Sequence, residues 1–380
     1  MFSSKELSCI LDIGTSKVTA IIGDRGVNNC LYFKSYATEE YDGYHNGKFY
    51  DVEQLKETVA KVINVVSNSA GVKINRLYVS VPTEVVVVIK REGTISFSKK
   101  KRIAREDIED LFEKYYDVKT SLYDVVNKSA NCYYLADNRP ILNPIGEKTD
   151  KLSGKLSYVL AECEFIKTIY YALKGLDIES VSFVSTIFAE TQYLFDGEER
   201  DRYVLLVDVG DNTTEIGVAK GDGLIFSNSF SMGGKYLSAK LMEKFNISVD
   251  DFRLAEKLKQ VVNLKLDADD EDRYKVVYEN KDYYFSRKET NKVIRNCLDN
   301  FCGVLEESLE KCYDLIPDNL VLNITGGGIC TIRGSVEYVS NRLNREVEIV
   351  APRVPYYNKP TLSSSFSILN YATNEQNKLR

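Results

Sequence analysis

The chain has 380 residues, a mass of 43.2 kDa and a net charge of −6, with 50 Lys and Arg against 56 Asp and Glu. At about 100–200 residues a domain, this length predicts two to four structural units, and the acidic balance argues against a dedicated nucleic-acid binder. His45 is the only histidine, which argues against catalytic His dyads and multi-His metal sites. The eight cysteines form no CxxC pair, residues 1–7 lack the charged-then-apolar pattern of a signal peptide, and no window approaches the apolar length that spans a membrane. We therefore expect reduced, mostly buried cysteines in a cytoplasmic protein without a transmembrane helix.

The first half of the chain is predicted to alternate strands and helices around an inserted unit. A hairpin opens it, because two β-rich apolar runs flank a Gly-Thr-Ser turn within residues 8–22. Residues 83–155 form the separate unit, and its basic run 99–102 is interpreted as a solvated loop. The other predicted elements of this half are strands over 77–81, 85–89 and 156–164, and helices over 52–69, 105–115, 165–175 and 182–194.

The second half follows a charged link over 196–202 and repeats the opening pattern. In residues 203–219 an apolar strand, an aspartate, a glycine and a Thr-containing turn again precede an apolar strand. The copies lie about half a chain apart, which indicates a repeated half-molecule rather than a solenoid. The remaining predictions are helices over 237–245, 252–258 and 288–309, a loop with a short strand over 265–282, a strand over 320–324 and a polar tail over 371–380.

Three glycine-containing turns carry the candidate chemistry. Asp12 and Asp208 each end a buried strand and precede a turn whose glycine permits close backbone approach. Backbone N–H groups and hydroxyls in such turns suit phosphate oxygens, and the carboxylates suit hydrated Mg²⁺. The third turn, 326–328, consists of glycines after a strand and would let a nucleotide approach the backbone. Each turn alone is more often purely structural, but their order and the repeat predict a phosphate site between two similar halves.

These motifs resemble those of the FtsA family of bacterial cell-division proteins, within the actin-like ATPase superfamily, over roughly residues 7–371. The resemblance implies an α/β, actin-like two-lobed fold of duplicated ribonuclease-H-like domains with an FtsA-type inserted small subdomain. The matching segments are 12–18, 92–95, 103–108, 207–210, 213–216, 233–234, 255–259 and 324–328. The implied layout is a first lobe over 1–82 and 156–200, the inserted subdomain over 83–155, a second-lobe core over 201–235 and 310–370, its outer subdomain over 236–309 and the tail over 371–380.

The resemblance also implies roles for single residues around bound ATP or ADP. Asp12 and Asp208 would hold Mg²⁺ through water. The phosphates would be surrounded by Gly14, Thr15, Ser16, Gly210, Asn212 and Thr213, with Lys17 as a phosphate contact or a solvated turn residue. Glu256 and Lys259 would contact the ribose and base, unless they form an ordinary exposed ion pair. The remaining implied cofactor contacts are Gly233 and Gly234 at a helix start and Gly326, Gly327 and Gly328 beside the adenosine.

Three departures from the family pattern modify these expectations. Asp211 and Asn212 replace two glycines of the second phosphate loop, which predicts a weaker nucleotide affinity or a loop that is shifted outward. Ser185 and Thr186 stand where the family has Glu-Pro, and this loss of a carboxylate that helps to position water predicts slow or absent hydrolysis. The sequence also stops without the family's basic amphipathic membrane helix, so either the chain is truncated or a partner supplies the membrane contact.

The leading hypothesis is a divergent FtsA-type protein that binds ATP between its lobes and self-associates into filaments. It would link the FtsZ ring to other division proteins at the inner face of the cell membrane, with the FtsZ C-terminal tail as a partner. Cys297 and Asn300 replace two residues of the family that grip this tail, but a nearby basic group could still attract it. That group is Arg287, Lys288, Lys292 and Arg295. The alternatives are a PilM-type pilus-assembly adaptor that binds a membrane-protein peptide and, less favoured, a small-molecule kinase of the same superfamily.

Overall fold

The computed structural model describes residues 7–26, 30–266 and 268–378. The strands of the first half are β1 Ser8–Ile13, β2 Lys17–Arg25, β3 Leu31–Glu40, β4 Tyr44–His45, β5 Lys48–Phe49, β6 Arg76–Val81, β7 Val86–Arg102, β8 Tyr123–Tyr134, β9 Pro140–Ile141, β10 Lys148–Glu162 and β11 Ser180–Ser185. Those of the second half are β12 Val204–Val209, β13 Thr214–Lys220, β14 Gly223–Phe230, β15 Arg273–Tyr278, β16 Lys281–Ser286, β17 Leu322–Thr325 and β18 Val347–Ile349. The helices are α1 Val52–Ala70, α2 Arg105–Tyr115, α3 Cys163–Ala172, α4 Thr186–Leu194, α5 Gly197–Asp201, α6 Gly234–Phe245, α7 Phe252–Val261, α8 Arg287–Glu310, α9 Ser335–Leu343 and α10 Ser363–Lys378.

Two five-stranded sheets have the same topology, which confirms the predicted repeat and the actin-like fold class. The first has the order β3-β2-β1-β6-β11 and the second the order β14-β13-β12-β17-β18. In each, the opening hairpin is antiparallel, and its first strand is the central strand of the sheet and pairs in parallel with β6 or β17 on its other side. The two hairpins also share their register, because Asp12 faces Thr19 and Asp208 faces Glu215.

The core lies on both faces of each sheet, since successive side chains of a buried strand point to opposite sides. Leu11 packs against α1 and α3, whereas its neighbour Ile10 joins a central cluster with α4 and α10. That central cluster also contains Leu206 of the second sheet, so α4 and α10 lie between the two lobes. The outer face of the second sheet packs on α6, α7, α8 and α9.

The inserted unit is a four-stranded sheet of order β7-β10-β8-β9, covered by α2. β10 pairs with β7 and β8 along most of its length, so it carries the inserted sheet past the boundary predicted at residues 155/156. The insert is fastened to the second lobe through Asn131, whose Nδ2 donates to the carbonyls of Lys220 (3.0 Å) and Gly223 (2.9 Å). A Cβ at Gly221 would collide with the Asn131 carbonyl, which explains the glycine in this contact.

Several predicted elements differ in the structure. The expected helix over 182–194 is strand β11 followed by α4, because β11 pairs in parallel with β6. The charged link contains α5, which begins with a capping box between Asp196 and Glu199. The basic run 99–102 ends β7 rather than forming a loop, and the segment 265–282 leads into the hairpin β15–β16. The tail predicted over 371–380 belongs, as far as residue 378, to α10, which buries Ala372 and Gln376.

Two further expectations concern the cysteines and a membrane-spanning helix. All eight cysteines are unpaired, but only Cys9, Cys297, Cys302 and Cys312 are buried, fewer than expected. Within the described ranges, none of the helices has the length and the apolar character that crossing a bilayer requires.

Candidate functional site

The predicted phosphate turns are the two hairpin turns at the ends of β1 and β12. In the first, the Gly14 N–H donates to the Lys17 carbonyl at 2.9 Å, and in the second, the Gly210 N–H donates to the Thr213 carbonyl at the same distance. Both turns therefore close in the same way and place an aspartate two residues before the glycine. The sequence repeat is a repeat of local geometry as well.

The two turns face each other across a cleft of about 450 Å³ between the lobes. The structure brings most of the predicted site residues to the lining of this cleft: Asp12, Gly14, Thr15, Ser16, Lys17, Asp208, Gly210, Thr213, Glu256, Lys259, Gly326 and Gly327. The other four lie just behind the lining or bridge the turns: Asn212, Gly233, Gly234 and Gly328. The predicted residues are thus contiguous in space, although the segments that carry them are far apart in the chain.

The third glycine segment presses its backbone against the second turn. Gly326 has a φ of 90°, and a Cβ there would collide with Asp208 Oδ1. The Gly328 N–H donates to the Val209 carbonyl at 2.7 Å. Only glycine permits this approach, so the segment is required for the shape of the cleft as well as for any ligand.

The start of α6 completes the floor of the cleft. The Gly234 N–H donates to the Gly210 carbonyl at 3.0 Å, and a Cβ at Gly233 would lie 2.5 Å from the Asp211 carbonyl. The Lys259 ammonium donates to the Gly234 carbonyl at 3.0 Å and lies 3.4 Å from Glu256 Oε1. Glu256 and Lys259 therefore do form an ion pair, but the Lys259 side chain is only 7% exposed and both residues line the cleft.

Asp12 is held by the first turn of α10, which the sequence analysis did not assign to the site. The hydroxyls of Ser364 and Ser365 donate to Asp12 Oδ2 at 2.8 and 2.6 Å. Ser363 shares a 2.6 Å hydrogen bond with Thr325 of the second lobe. A carboxylate at a helix N-terminus is further stabilised by the helix dipole. The run of three serines before an apolar stretch was the available signal, since serine favours helix starts.

Asp208 occupies the equivalent position in different surroundings. Its Oδ1 is enclosed and has no hydrogen-bond partner among the described residues. Burial and the Asp12 charge raise the pKa of Asp208 to about 7. Behind it, Glu190 of α4 is completely buried, and burial, followed by the charge of Asp208, raises the pKa of Glu190 well above its usual range. The cleft thus has a second layer of carboxyl groups beneath the second turn.

Glu215 is another carboxyl group that sequence reasoning missed. It lines the cleft from β13 and accepts hydrogen bonds from the Thr83 N–H (2.9 Å) and the Thr83 hydroxyl (2.8 Å). Burial raises the pKa of Glu215 to about 8, and the Asp208 charge adds to the shift. Glutamates at 190 and 215 within otherwise apolar stretches were the only signals of this layer.

These residues fit a Mg²⁺ ion that is held through water. Mg²⁺ keeps several of its waters and is usually bound by one or two carboxylates together with phosphate oxygens. Asp208 offers an unpartnered Oδ1, and Asp12 supplies a second carboxylate to the same cleft. No group of three or more His, Cys, Asp or Glu side chains in the described parts of the chain could ligate a metal directly. The donor set therefore suits the water-mediated arrangement rather than a protein-only site.

Asp211, Ser185 and Thr186, three residues that depart from the family pattern, lie in or beside the cleft. Asp211 lines the cleft, where burial raises its pKa while Lys259, Lys235 and Lys17 act in the opposite direction. The Ser185 hydroxyl is buried and caps α4 through a 3.5 Å hydrogen bond from the Phe188 N–H. Thr186 reaches the cleft, but its hydroxyl donates to the Val81 carbonyl at 3.3 Å. Neither residue supplies a carboxylate at the start of α4.

A second candidate surface lies on the outer part of the second lobe, where Cys297 and Asn300 are located. A groove of about 460 Å³ separates α6 from α8 and contains both residues. Asn300 Nδ2 donates to the Tyr236 hydroxyl at 2.9 Å. The basic group expected to attract a tail is partly engaged, since Arg287 pairs with Asp272 and Lys288 with Asp270. Lys240 and Lys244, which line the groove, were not anticipated.

Sequence comparison shows similarity to bacterial cell-division proteins. The family model described as "Cell division protein FtsA" matches residues 205–367. The FtsA of Buchnera aphidicola is 21% identical over 336 residues, which cover 87% of this chain and 79% of the relative. The FtsA of Pseudomonas aeruginosa is 21% identical over 379 residues, covering 96% and 89% of the two chains.

Solved structures extend the agreement to the fold. The PilM–PilN type IV pilus biogenesis complex aligns with a TM-score of 0.64 at 16% identity, over 96% of this chain and 98% of the other. MreB5 of Spiroplasma citri bound to AMPPNP aligns with a TM-score of 0.57 at 11% identity, over the whole of both chains. At these identities the likeness concerns the fold alone. The chain therefore has an actin-like fold and is similar in sequence to the FtsA cell-division proteins.

Proposed function

We propose that this chain is an actin-like division protein that binds ATP or ADP with Mg²⁺ between its lobes. It would self-associate into filaments and link FtsZ to other division proteins at the inner face of the cell membrane. The observation that carries the proposal is the pair of equivalent aspartate–glycine turns, 12–17 and 208–213, that face each other across one cleft.

The chemistry of the cleft supports a nucleotide. Its turns offer hydroxyls such as that of Thr213, and Lys17 and Lys259 bring positive charge toward the phosphates. Mg²⁺ would neutralise part of the phosphate charge, with Asp12 and Asp208 holding its waters. Glu256 and Lys259 line the same cleft as Gly326 and Gly327 and would contact the ribose and base.

We infer that the nucleotide acts as a structural ligand or an assembly switch more than as a substrate. The start of α4 carries the hydroxyls of Ser185 and Thr186, both already used in hydrogen bonds within the protein. A hydroxyl in such a place is a poor general base for water. We expect turnover well below that of an active actin-like ATPase. A comparable turnover that Asp208→Ala abolishes would contradict this.

The α6–α8 groove is the surface we assign to the FtsZ tail. It is about 460 Å³, and Lys240 and Lys244 line it beside Cys297 and Asn300. Both lysines make exposed ion pairs, with Glu243 and Glu289, and exposed pairs contribute little stability and exchange partners readily. An acidic tail could therefore compete for them.

Co-sedimentation with FtsZ filaments, with and without ATP, tests the division function. We expect the wild-type protein to pellet with FtsZ and Lys240→Glu to pellet several-fold less. Lys61→Glu is the matched control, because Lys61 also makes an exposed ion pair, with Glu39 of the first lobe, far from the groove. No pelleting of the wild type in either condition, or equal losses for both variants, would count against the assignment.

A peptide-binding adaptor of the PilM type is the second candidate, and a groove of about 620 Å³ between β8 and β11 favours it. β11 is the edge of its sheet, and its outer side is engaged at Ser185, whose N–H donates to Asn127 Oδ1 at 3.0 Å. Sheet edges bind extended peptides by strand addition. Titrating an FtsZ-tail peptide and a cytoplasmic PilN-type peptide against wild type, Lys240→Glu and Val181→Lys would separate the two functions. Tight PilN-type binding lost in Val181→Lys would favour the adaptor.

A further inference from the structure

The two phosphate turns are joined directly to each other by one residue. The Asn212 backbone N–H donates to Thr15 Oγ1 at 3.2 Å, and the Asn212 side-chain Nδ2 donates to the Thr15 carbonyl at 3.3 Å. The same amide nitrogen lies 3.3 Å from His45 Nδ1, on the short strand β4. Asn212 of the second lobe therefore contacts the first lobe at two elements.

These bonds occupy groups that a terminal phosphate between the turns would use. The N–H groups of Gly14 and Gly210 already close their own turns. The Asn212 N–H is a further donor at the gap between the turns, and it is already used because it donates to the Thr15 hydroxyl oxygen of the other lobe. A terminal phosphate that accepts from the Asn212 N–H would have to break its bond to Thr15, and one that lies between the turns would push apart the two turns that the Asn212–Thr15 bonds hold together.

Asp211 also disfavours a terminal phosphate between the turns. It lines the cleft from the second turn, next to Asn212, and its carboxylate would face the negative charge of a phosphate held there. Lys17, Lys235 and Lys259 surround it and offset part of this charge. They do not provide the backbone approach that glycines would give at these two positions.

We propose that Asn212, assisted by Asp211, makes the cleft selective for a nucleoside diphosphate over a nucleoside triphosphate. The Asn212–Thr15 contact is a latch that a diphosphate leaves closed and a terminal phosphate must open. This inference rests on the proposed nucleotide binding in the cleft, and it narrows that binding to one ligand class.

Calorimetric titration of the full chain with Mg·ADP and with Mg·AMPPNP tests the latch. We expect the wild type to bind Mg·ADP at least about tenfold more tightly, which corresponds to about 1.4 kcal/mol. In Asn212→Gly the preference should fall about tenfold through tighter Mg·AMPPNP binding, and Asp211→Gly should act in the same direction. Thermal unfolding of each variant establishes that it is folded.

Ser231→Ala is the matched control for a general loosening of the lobes. It removes another bond between them, from the Ser231 hydroxyl to Asn46 Oδ1 (2.6 Å), without altering either turn. Its ADP preference should equal that of the wild type. Equal binding of the two nucleotides by the wild type, or an unchanged ratio in both Asn212→Gly and Asp211→Gly, would overturn the inference while the nucleotide cleft stands. No binding of either nucleotide by any folded variant would overturn the cleft's proposed function as well.

Discussion

The two aspartates of the repeat occupy equivalent positions and have opposite surroundings. Asp12 accepts hydrogen bonds from two serine hydroxyls at the start of α10. Asp208 has an enclosed oxygen without a partner and a completely buried glutamate, Glu190, behind it. The duplication therefore fixes where each carboxylate lies, whereas the helix packed behind each hairpin determines how much a negative charge costs there.

Replacing each aspartate by asparagine should give the largest difference between the two sites, measured as the change in the free energy of unfolding. In metal-free buffer at pH 8, Asp12→Asn should lower the free energy of unfolding by about 1–3 kcal/mol, because two bonds to a charged acceptor at a helix start are weakened. Asp208→Asn should raise the free energy of unfolding. Burial raises the pKa of Asp208 to about 7, so at pH 8 the folded protein holds a buried negative charge that destabilises it and that asparagine lacks. Calorimetric melting of both variants measures the difference. Shifts of the same sign would show that the two sites are equivalent after all.

Glu215 allows a sharper test, through pH. Its pKa is raised from 4.5 to about 8, so the folded protein binds this proton more tightly than the unfolded chain does. The stability that this proton gives to the folded state is fully present below about pH 4.5 and is lost as the pH rises to 8. The wild type should therefore lose stability over this window. Glu215→Gln resembles the protonated acid and can keep both Thr83 contacts, so its melting temperature should fall less between pH 5 and 8. The difference should be about 1–2 °C for each kcal/mol in a chain of 380 residues.

The exposed Glu198 provides the control for that measurement. Glu198→Gln removes one exposed negative charge from the first turn of α5 and should leave the wild-type pH profile unchanged. If the melting temperature of Glu215→Gln fell with pH as steeply as that of the wild type, the Glu215 carboxyl would not be the group that titrates.

The smallest expected contrast concerns the glycines of the two turns. A Cβ at Gly14 would lie 3.4 Å from the Lys17 carbonyl, an ordinary contact, whereas a Cβ at Gly210 would lie 3.0 Å from the Thr213 carbonyl. Gly14→Ala should therefore be neutral or stabilising by about 0.4–1 kcal/mol, because it restricts the unfolded chain. Gly210→Ala should be destabilising by about 1 kcal/mol. Denaturant unfolding measures both, and equal effects would mean that the second turn is no more crowded than the first.

Local sequence was sufficient to predict the turns of the site. An apolar strand, an aspartate and a glycine at fixed spacing define each hairpin within a dozen residues, and the structure has both hairpins at these positions. The Glu256–Lys259 pair was also predictable, because residues three apart share a helix face. Such features depend on short-range geometry and need no knowledge of the rest of the chain.

The second layer of the site could not be predicted in this way. The Asp12–Ser365 bond joins residues 353 positions apart, and the Thr83–Glu215 bonds join residues 132 positions apart. Which buried carboxyl lies behind which hairpin follows from how α4 and α10 pack between the sheets, and no periodicity in the sequence specifies that packing. The error at β11 has another cause, because Val181, Phe183 and Val184 do favour a strand but run directly into the apolar residues of α4.

The position of α10 has a consequence for how the chain folds. This helix, near the C-terminal end of the sequence, covers the inner face of the first sheet, and its Gln376 accepts a 2.8 Å hydrogen bond from the Ser8 hydroxyl, 368 positions away. During synthesis, the first hairpin therefore waits with one apolar face uncovered until nearly the whole described chain has left the ribosome. Contacts of such sequence separation form slowly and leave exposed apolar surface in the meantime. The first lobe is the first to be made and among the last to be completed.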